Sequence, residues 1–265
     1  MFWKLSAAWL FAARLVCAAP PETAAPAGGL NTTVLQVIAT MPEEGGYSVS
    51  SPASRLLAEA IRLAPPGLAI DAAHAVPSYC SGATYLVFAG VCQRLIREGR
   101  LSLSEDTLRA LLVSGQRDGD GIWGRWNANG PGTARLFHEL DLGENFTDWK
   151  QARPGDFMKI FWTTEIGAKE RGHSVVYLGT ETEAGVEYVR YWSSNKPRGY
   201  GEKRVTRKSV AFAIFSRLTN PENLAHTARL PARRRDSPLA RTRRPPTGAA
   251  APGPHPAKSC NICVL

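Results

Sequence analysis

Cysteine is scarce in this chain: five in 265 residues, too few and too scattered to staple a disulfide scaffold. Long apolar runs are missing too. Past the first residues nothing approaches the roughly 20 apolar positions that a membrane helix needs. No internal repeat is present, and no His, Cys and Asp residues cluster at metal-ligand spacing; Cys260-x-x-Cys263 supplies half a zinc site at most. Asp118-x-Asp120 resembles the start of a calcium loop, but Ile122 stands where the next oxygen ligand belongs and no suitable glutamate follows. These absences exclude a disulfide-rich toxin-like domain, an integral membrane helix protein and the common metal-binding modules.

The formal charge of +9 points toward nucleic acid only until it is located. From Arg229 onward there are seven Arg and Lys258 against the single acid Asp236, so this tail carries +7 and residues 1–228 only +2. The basicity belongs to the tail, and no specific nucleic-acid role is expected. Runs such as Arg233-Arg234-Arg235 suit any anionic polymer. From 228 to 265 the Arg, Pro and Ala content predicts disorder. At the other end, Lys4, the apolar run Leu5–Ala13 and small residues around Cys17, Ala18 and Ala19 read as a signal peptide over 1–19, hence a secreted, periplasmic or cell-envelope protein. A Pro, Ala and Gly-rich linker over 20–45 is expected to follow, then one domain over 46–227. With 44% apolar residues there is ample material for its core.

Within that domain the hydrophobic period changes once. Leu56, Leu57, Ala60, Ile61 and Leu63 predict an amphipathic helix over Pro52–Ala64, stopped by Pro65-Pro66-Gly67. A second, apolar on nearly every face, runs from about Ser78 to Glu98, and a third begins at Ser104-Glu105-Asp106. The span Gly115–Gly132 reads as turn chemistry carrying Trp123 and Trp126, which either rim a binding cleft or pin the loop to the body. Past Asp148 the pattern becomes strand-like: Phe157–Trp162, Ser174–Leu178, Val186–Trp192 and Val210–Phe215. Helices first and strands afterwards predict an α+β fold with a small antiparallel sheet against the buried helix.

One stretch carries chemistry. Pro77, Ser78 and Ser81 surround Cys80 where the buried helix starts, so the thiol lies in the first turn, among free N–H groups at the positive end of the helix dipole. That setting favours a thiolate. Its base must be a histidine. His255 lies in the tail, His226 at the domain's end, and His74 and His138 in uninformative contexts. His173, directly after Gly172 at a strand start, is left. An orienting group should end the next strand, where Ser193, Ser194 and Asn195 stand; the Asn195 amide oxygen accepts well from an imidazole N–H.

The segments Tyr79-Cys80-Ser81-Gly82, Arg153-Pro154-Gly155-Asp156-Phe157 and Gly172–Gly179 resemble, in the same order, three signatures of the NlpC-type cell-wall peptidases and the related CHAP amidases. The likeness covers roughly residues 70–216. It implies a papain-like fold and a monomeric cysteine peptidase or amidase that cuts an amide in peptidoglycan without a cofactor or metal. Cys80 would be the nucleophile, His173 the base and Asn195 the orienting residue. From the residues themselves, Tyr79 and Ser81 beside the thiol and Trp123 and Trp126 on their loop are the candidate substrate contacts. The implied partner is a peptidoglycan peptide or another cell-wall polymer. The alternatives are a papain-like hydrolase of a different amide or thioester, and an inactive wall-binding module on the same scaffold.

Overall fold

The computed structural model describes residues 30–113, 120–128, 130–166 and 170–231. The expected signal peptide, the first part of the linker, Asp118 and the tail from 232 lie outside the described residues, as do Cys17, Cys260, Cys263 and His255.

The chain enters through α1 (Asn31–Ile38) and the two-residue strand β1 (Glu44–Gly45). This corrects the linker over 20–45: from Asn31 onward it is part of the body. Val34 and Val37 are buried, and α1 packs against the central helix. Next comes α2 (Ser51–Glu59), with Pro52 in its first turn and Ser50 capping the Ala53 N–H. It is shorter than its period predicts. Ile61–Ala64 leaves the helix as β2 and pairs with β3 (Gly67–Ile70), so Pro65-Pro66 makes a hairpin turn and not a helix stop. Two tertiary bonds hold the hairpin: Asp71 N–H donates to Ala60 O at 2.9 Å and Leu68 N–H to Gln93 Oε1 at 2.5 Å.

The buried helix is α3 (Cys80–Arg97). Tyr79 is its extended N-cap, and Gly99 at φ +69° closes it as Arg100 N–H returns to Leu95 O. Helices α4 (Glu105–Ala110), α5 (Gly121–Trp126) and α6 (Thr133–Leu140) follow. The Gly115–Gly132 span is therefore not turn throughout. Trp123 and Trp126, three apart on α5, face one way into the core, and their burial holds the short helix.

All later strands join one antiparallel sheet. They are β4 (Gly143–Phe146), β5 (Phe157–Phe161), β6 (His173–Glu183), β7 (Val186–Asn195), β8 (Gly199–Thr206) and β9 (Phe212–Leu218). Their order is β1-β8-β7-β6-β5-β9-β4. The class is thus α+β, with α3 packed on β6 and β7. Phe88, Phe157, Val176 and Trp192 fill that core, and Met158, Val175, Tyr191 and Phe215 form a second cluster. The Pro154-Gly155-Asp156 turn works as a structural joint. The fully buried Asp156 accepts from Asn31 Nδ2, from Arg153 N–H and from two nitrogens of Arg217, tying α1 and β9 to the start of β5. Among the described residues no helix is long and apolar enough to cross a membrane.

Candidate active site

The first backbone hydrogen bond at the start of α3 runs from Ala83 N–H to Tyr79 O, so the N–H groups of Cys80, Ser81 and Gly82 have no intrahelical acceptor. No side chain caps this end and no acid occupies its first turn, which leaves the positive end of the helix unopposed beside the Cys80 thiol. Hydrogen bonds fix the end in place. Ser78 Oγ donates to Ser194 Oγ on β7 at 2.7 Å, and Thr84 Oγ1 pairs with Ser174 Oγ on β6 at 2.9 Å. Trp126 Nε1 donates to Ser81 O at 3.1 Å and reaches Thr84 Oγ1 at 3.2 Å.

His173 opens β6 and Asn195 closes β7. The antiparallel β6–β7 ladder ends at the Val176–Trp192 pair, and the two side chains meet three residues past it on either strand. His173 Nε2 lies 3.2 Å from Asn195 Oδ1. The other end of the Asn195 amide decides the direction of that bond. Its Nδ2 donates to Ser193 O and Gly201 O, at 3.2 and 2.9 Å, so Oδ1 is the acceptor and Nε2 carries the hydrogen. Nδ1 is then the ring nitrogen free to serve the thiol. Ser193 donates to Ser174 O, and Ser194 accepts from Ser78, so among the three residues ending β7 it is Asn195 that holds the imidazole.

Burial alone would push the half-buried Cys80 thiol up. It is outweighed by the hydrogen bond and positive charge of His173, then by the charge of Lys159 and the N–H of Ser174, and the thiol falls to about 6. At neutral pH it is a thiolate. Tyr47 also faces it, placed there by the parallel bridge between Tyr47 and Ser78. Burial first, then the charge of Cys80 and a hydrogen bond to it, keep the Tyr47 hydroxyl protonated. Trp162, 39% exposed, stacks beside the His173 ring with centroids 6.5 Å apart and planes 29° apart.

The expected substrate contacts fare differently. Tyr79 and Ser81 flank the thiol but are buried, and Ser81 donates its hydroxyl to Asn127 Oδ1. Trp123 and Trp126 are each 1% exposed, the first edge-on to Tyr85 and the second stacked on Phe88. They cannot touch a ligand, and their expected place on a cleft rim is corrected: they pin α5 to α3. Tyr47, Lys159 and Trp162 are the site residues that sequence reading missed. A lysine inside the otherwise apolar run Phe157–Trp162 was the one visible signal. Among the described residues no group of three or more His, Cys, Asp or Glu is placed to hold a metal. Comparison with protein-family models, curated proteins and solved structures finds no match to this chain.

Proposed function

We propose that this chain is a cysteine amidase or endopeptidase of the papain-like, NlpC-type plan, using Cys80 as nucleophile, His173 as base and Asn195 as the residue that orients the base. One observation carries the reading: the ring hydrogen-bonded to Asn195 through Nε2 is the same ring whose proximity drives the Cys80 thiol down to about 6. His173 takes the thiol proton, and Sγ attacks the amide carbonyl. The oxyanion is met by the Cys80 N–H at the open helix end and by the Tyr47 hydroxyl. His173 returns the proton to the leaving amine, and a water activated by the same ring then cleaves the thioester. A peptidoglycan stem peptide is the substrate we favour, on the sequence resemblance, and export to the cell envelope belongs to the same proposal.

The test is iodoacetamide labelling of the purified chain, read at Cys80 by peptide mass, from about pH 4 to about pH 9. The rate should rise through pH 6 and level off, because the folded thiol loses its proton there. In His173→Ala the rise should move to pH 8 or above, toward an ordinary thiol of about 8.5. A wild-type profile already centred there would sink the nucleophile reading and leave a wall-binding module. Digestion of purified peptidoglycan, with fragments read by mass, then identifies the bond.

A further inference from the structure

Lys159 rises from β5 beneath the nucleophile and is only 6% exposed. Among the described residues its amine has no hydrogen bond and no ion pair; burial pushes its pKa down, and the charges of Cys80 and Glu170 work to keep it protonated. Its path is marked by two glycines in the left-handed region. A Cβ on Gly172 (φ +72°) would come within 2.7 Å of Lys159 Cε, and one on Gly132 (φ +49°) would lie 3.5 Å from Nζ. The stem therefore passes under Gly172 and the head arrives at Gly132, the N-cap of α6. That helix end has no side-chain cap and no acid in its first turn. Its first residue, Thr133, is 5% exposed, and its hydroxyl is buried without a hydrogen-bond partner.

An ammonium, the positive end of an eight-residue helix and an orphaned hydroxyl thus meet around Gly132, where the carbonyl oxygens of Trp126 and Ala128 also lie. The acid that acts on Lys159, Glu170, is already committed: its oxygens accept from Trp162 N–H at 3.1 Å and Gly172 N–H at 2.7 Å. Across the sheet Lys159 stands opposite Ser174, whose hydroxyl meets Thr84 in the first turns of α3 at 2.9 Å, so this corner lies near the start of that helix, and the charges of Lys159 and Cys80 act on each other.

We propose that Lys159, Thr133 and the N-terminal end of α6 form a carboxylate subsite, so that the enzyme selects substrates with a free carboxylate next to the amide it cuts. One ammonium and one hydroxyl suit a planar monoanion better than a phosphate, which calls for more donors. The subsite rests on the reading of Cys80 as the nucleophile.

The test compares two small alkylating agents at one pH, iodoacetate and iodoacetamide. In each, the thiolate forms the S–C bond and iodide leaves, so they differ in carrying a carboxylate or an amide. In the full chain iodoacetate should modify Cys80 faster, and acetate should protect while acetamide does not. Lys159→Met should lower the iodoacetate-to-iodoacetamide ratio roughly ten-fold, the scale of one charge-assisted hydrogen bond, and Lys159→Arg should restore part of it. If Lys159 merely lowers the thiol pKa, both reagents slow alike and the ratio stays, which overturns the subsite and leaves the nucleophile standing. Thr133→Val should reduce the ratio less. Absence of acetate protection in the wild type would refute the subsite even if the lysine variants failed to fold. Slow reaction of Cys80 with both reagents would remove the nucleophile and the subsite together.

Discussion

Cys80 and Cys92 share one helix and have opposite chemistry. Burial pushes both thiols up, and at Cys92 it acts nearly alone, raising that thiol to about 12. At Cys80 His173, Lys159 and the Ser174 N–H reverse it. Peptide mass should therefore show native Cys80 alkylated at neutral pH and Cys92 untouched until denaturant is added. Asn195 acts through the ring. Asn195→Ala should lower kcat on a cleaved substrate by about ten- to a hundred-fold, with KM little changed, as expected for losing a hydrogen bond to a group that becomes charged. An equal loss of melting temperature and activity would mean it only holds β7. At this scale much was legible. Cys80 announced itself by its helix-start context, His173 by elimination among five histidines, and Asn195 by its place at a strand end. Tyr47 and Lys159 did not, because a tyrosine in a loop and a lysine in a strand acquire meaning only from what lies opposite.

The start of α3 is held by its neighbours, and its two ends can be tested apart. Trp126→Ala should cost about 3–5 kcal/mol in urea unfolding, the usual loss for an aromatic removed from a core. It should also slow Cys80 labelling, since the bonds to Ser81 O and Thr84 Oγ1 go with it. Gly90→Val is the contrast. A Cβ there would meet Val37 Cγ1 of α1 at 2.8 Å, so overpacking should cost about 1–3 kcal/mol. Its labelling rate should stay unchanged, because ten residues at about 1.5 Å each separate it from Cys80. The long buried helix and the strands from Phe157 on could be read from hydrophobic period. The β2–β3 hairpin and β8 could not. Leu56–Leu63 has a helical period that Gln93 and Ala60 override, and β8, with Gly199, Gly201 and three successive charges, reads as a turn until β7 offers it a ladder. There Arg204 pairs with Glu181 and Glu183.

Across the whole molecule, Asp156 joins the first helix, the strand-opening turn and the last strand through one buried carboxylate. Arg217→Ala leaves that charge short of its main partner and should lower stability by about 3–5 kcal/mol, read as a fall in the urea midpoint. Sequence alone determined the properties that depend on local order and composition: an α+β class, a long buried helix followed by the strands from Phe157 on, a near-neutral charge over residues 1–228 with a basic stretch after it, and a cysteine at a helix start ahead of a histidine strand. Each follows from side-chain period, turn chemistry or counting, none of which needs a partner from elsewhere in the chain. Tertiary structure alone decided which side of each residue faces what. It sent Trp123 and Trp126 inward, placed Asn195 rather than Ser193 or Ser194 against the imidazole, turned Asp156 into a joint and buried Lys159 where its charge acts on Cys80. Those outcomes depend on contacts between residues far apart in sequence, where burial and charge act through space and leave no periodic trace along the chain.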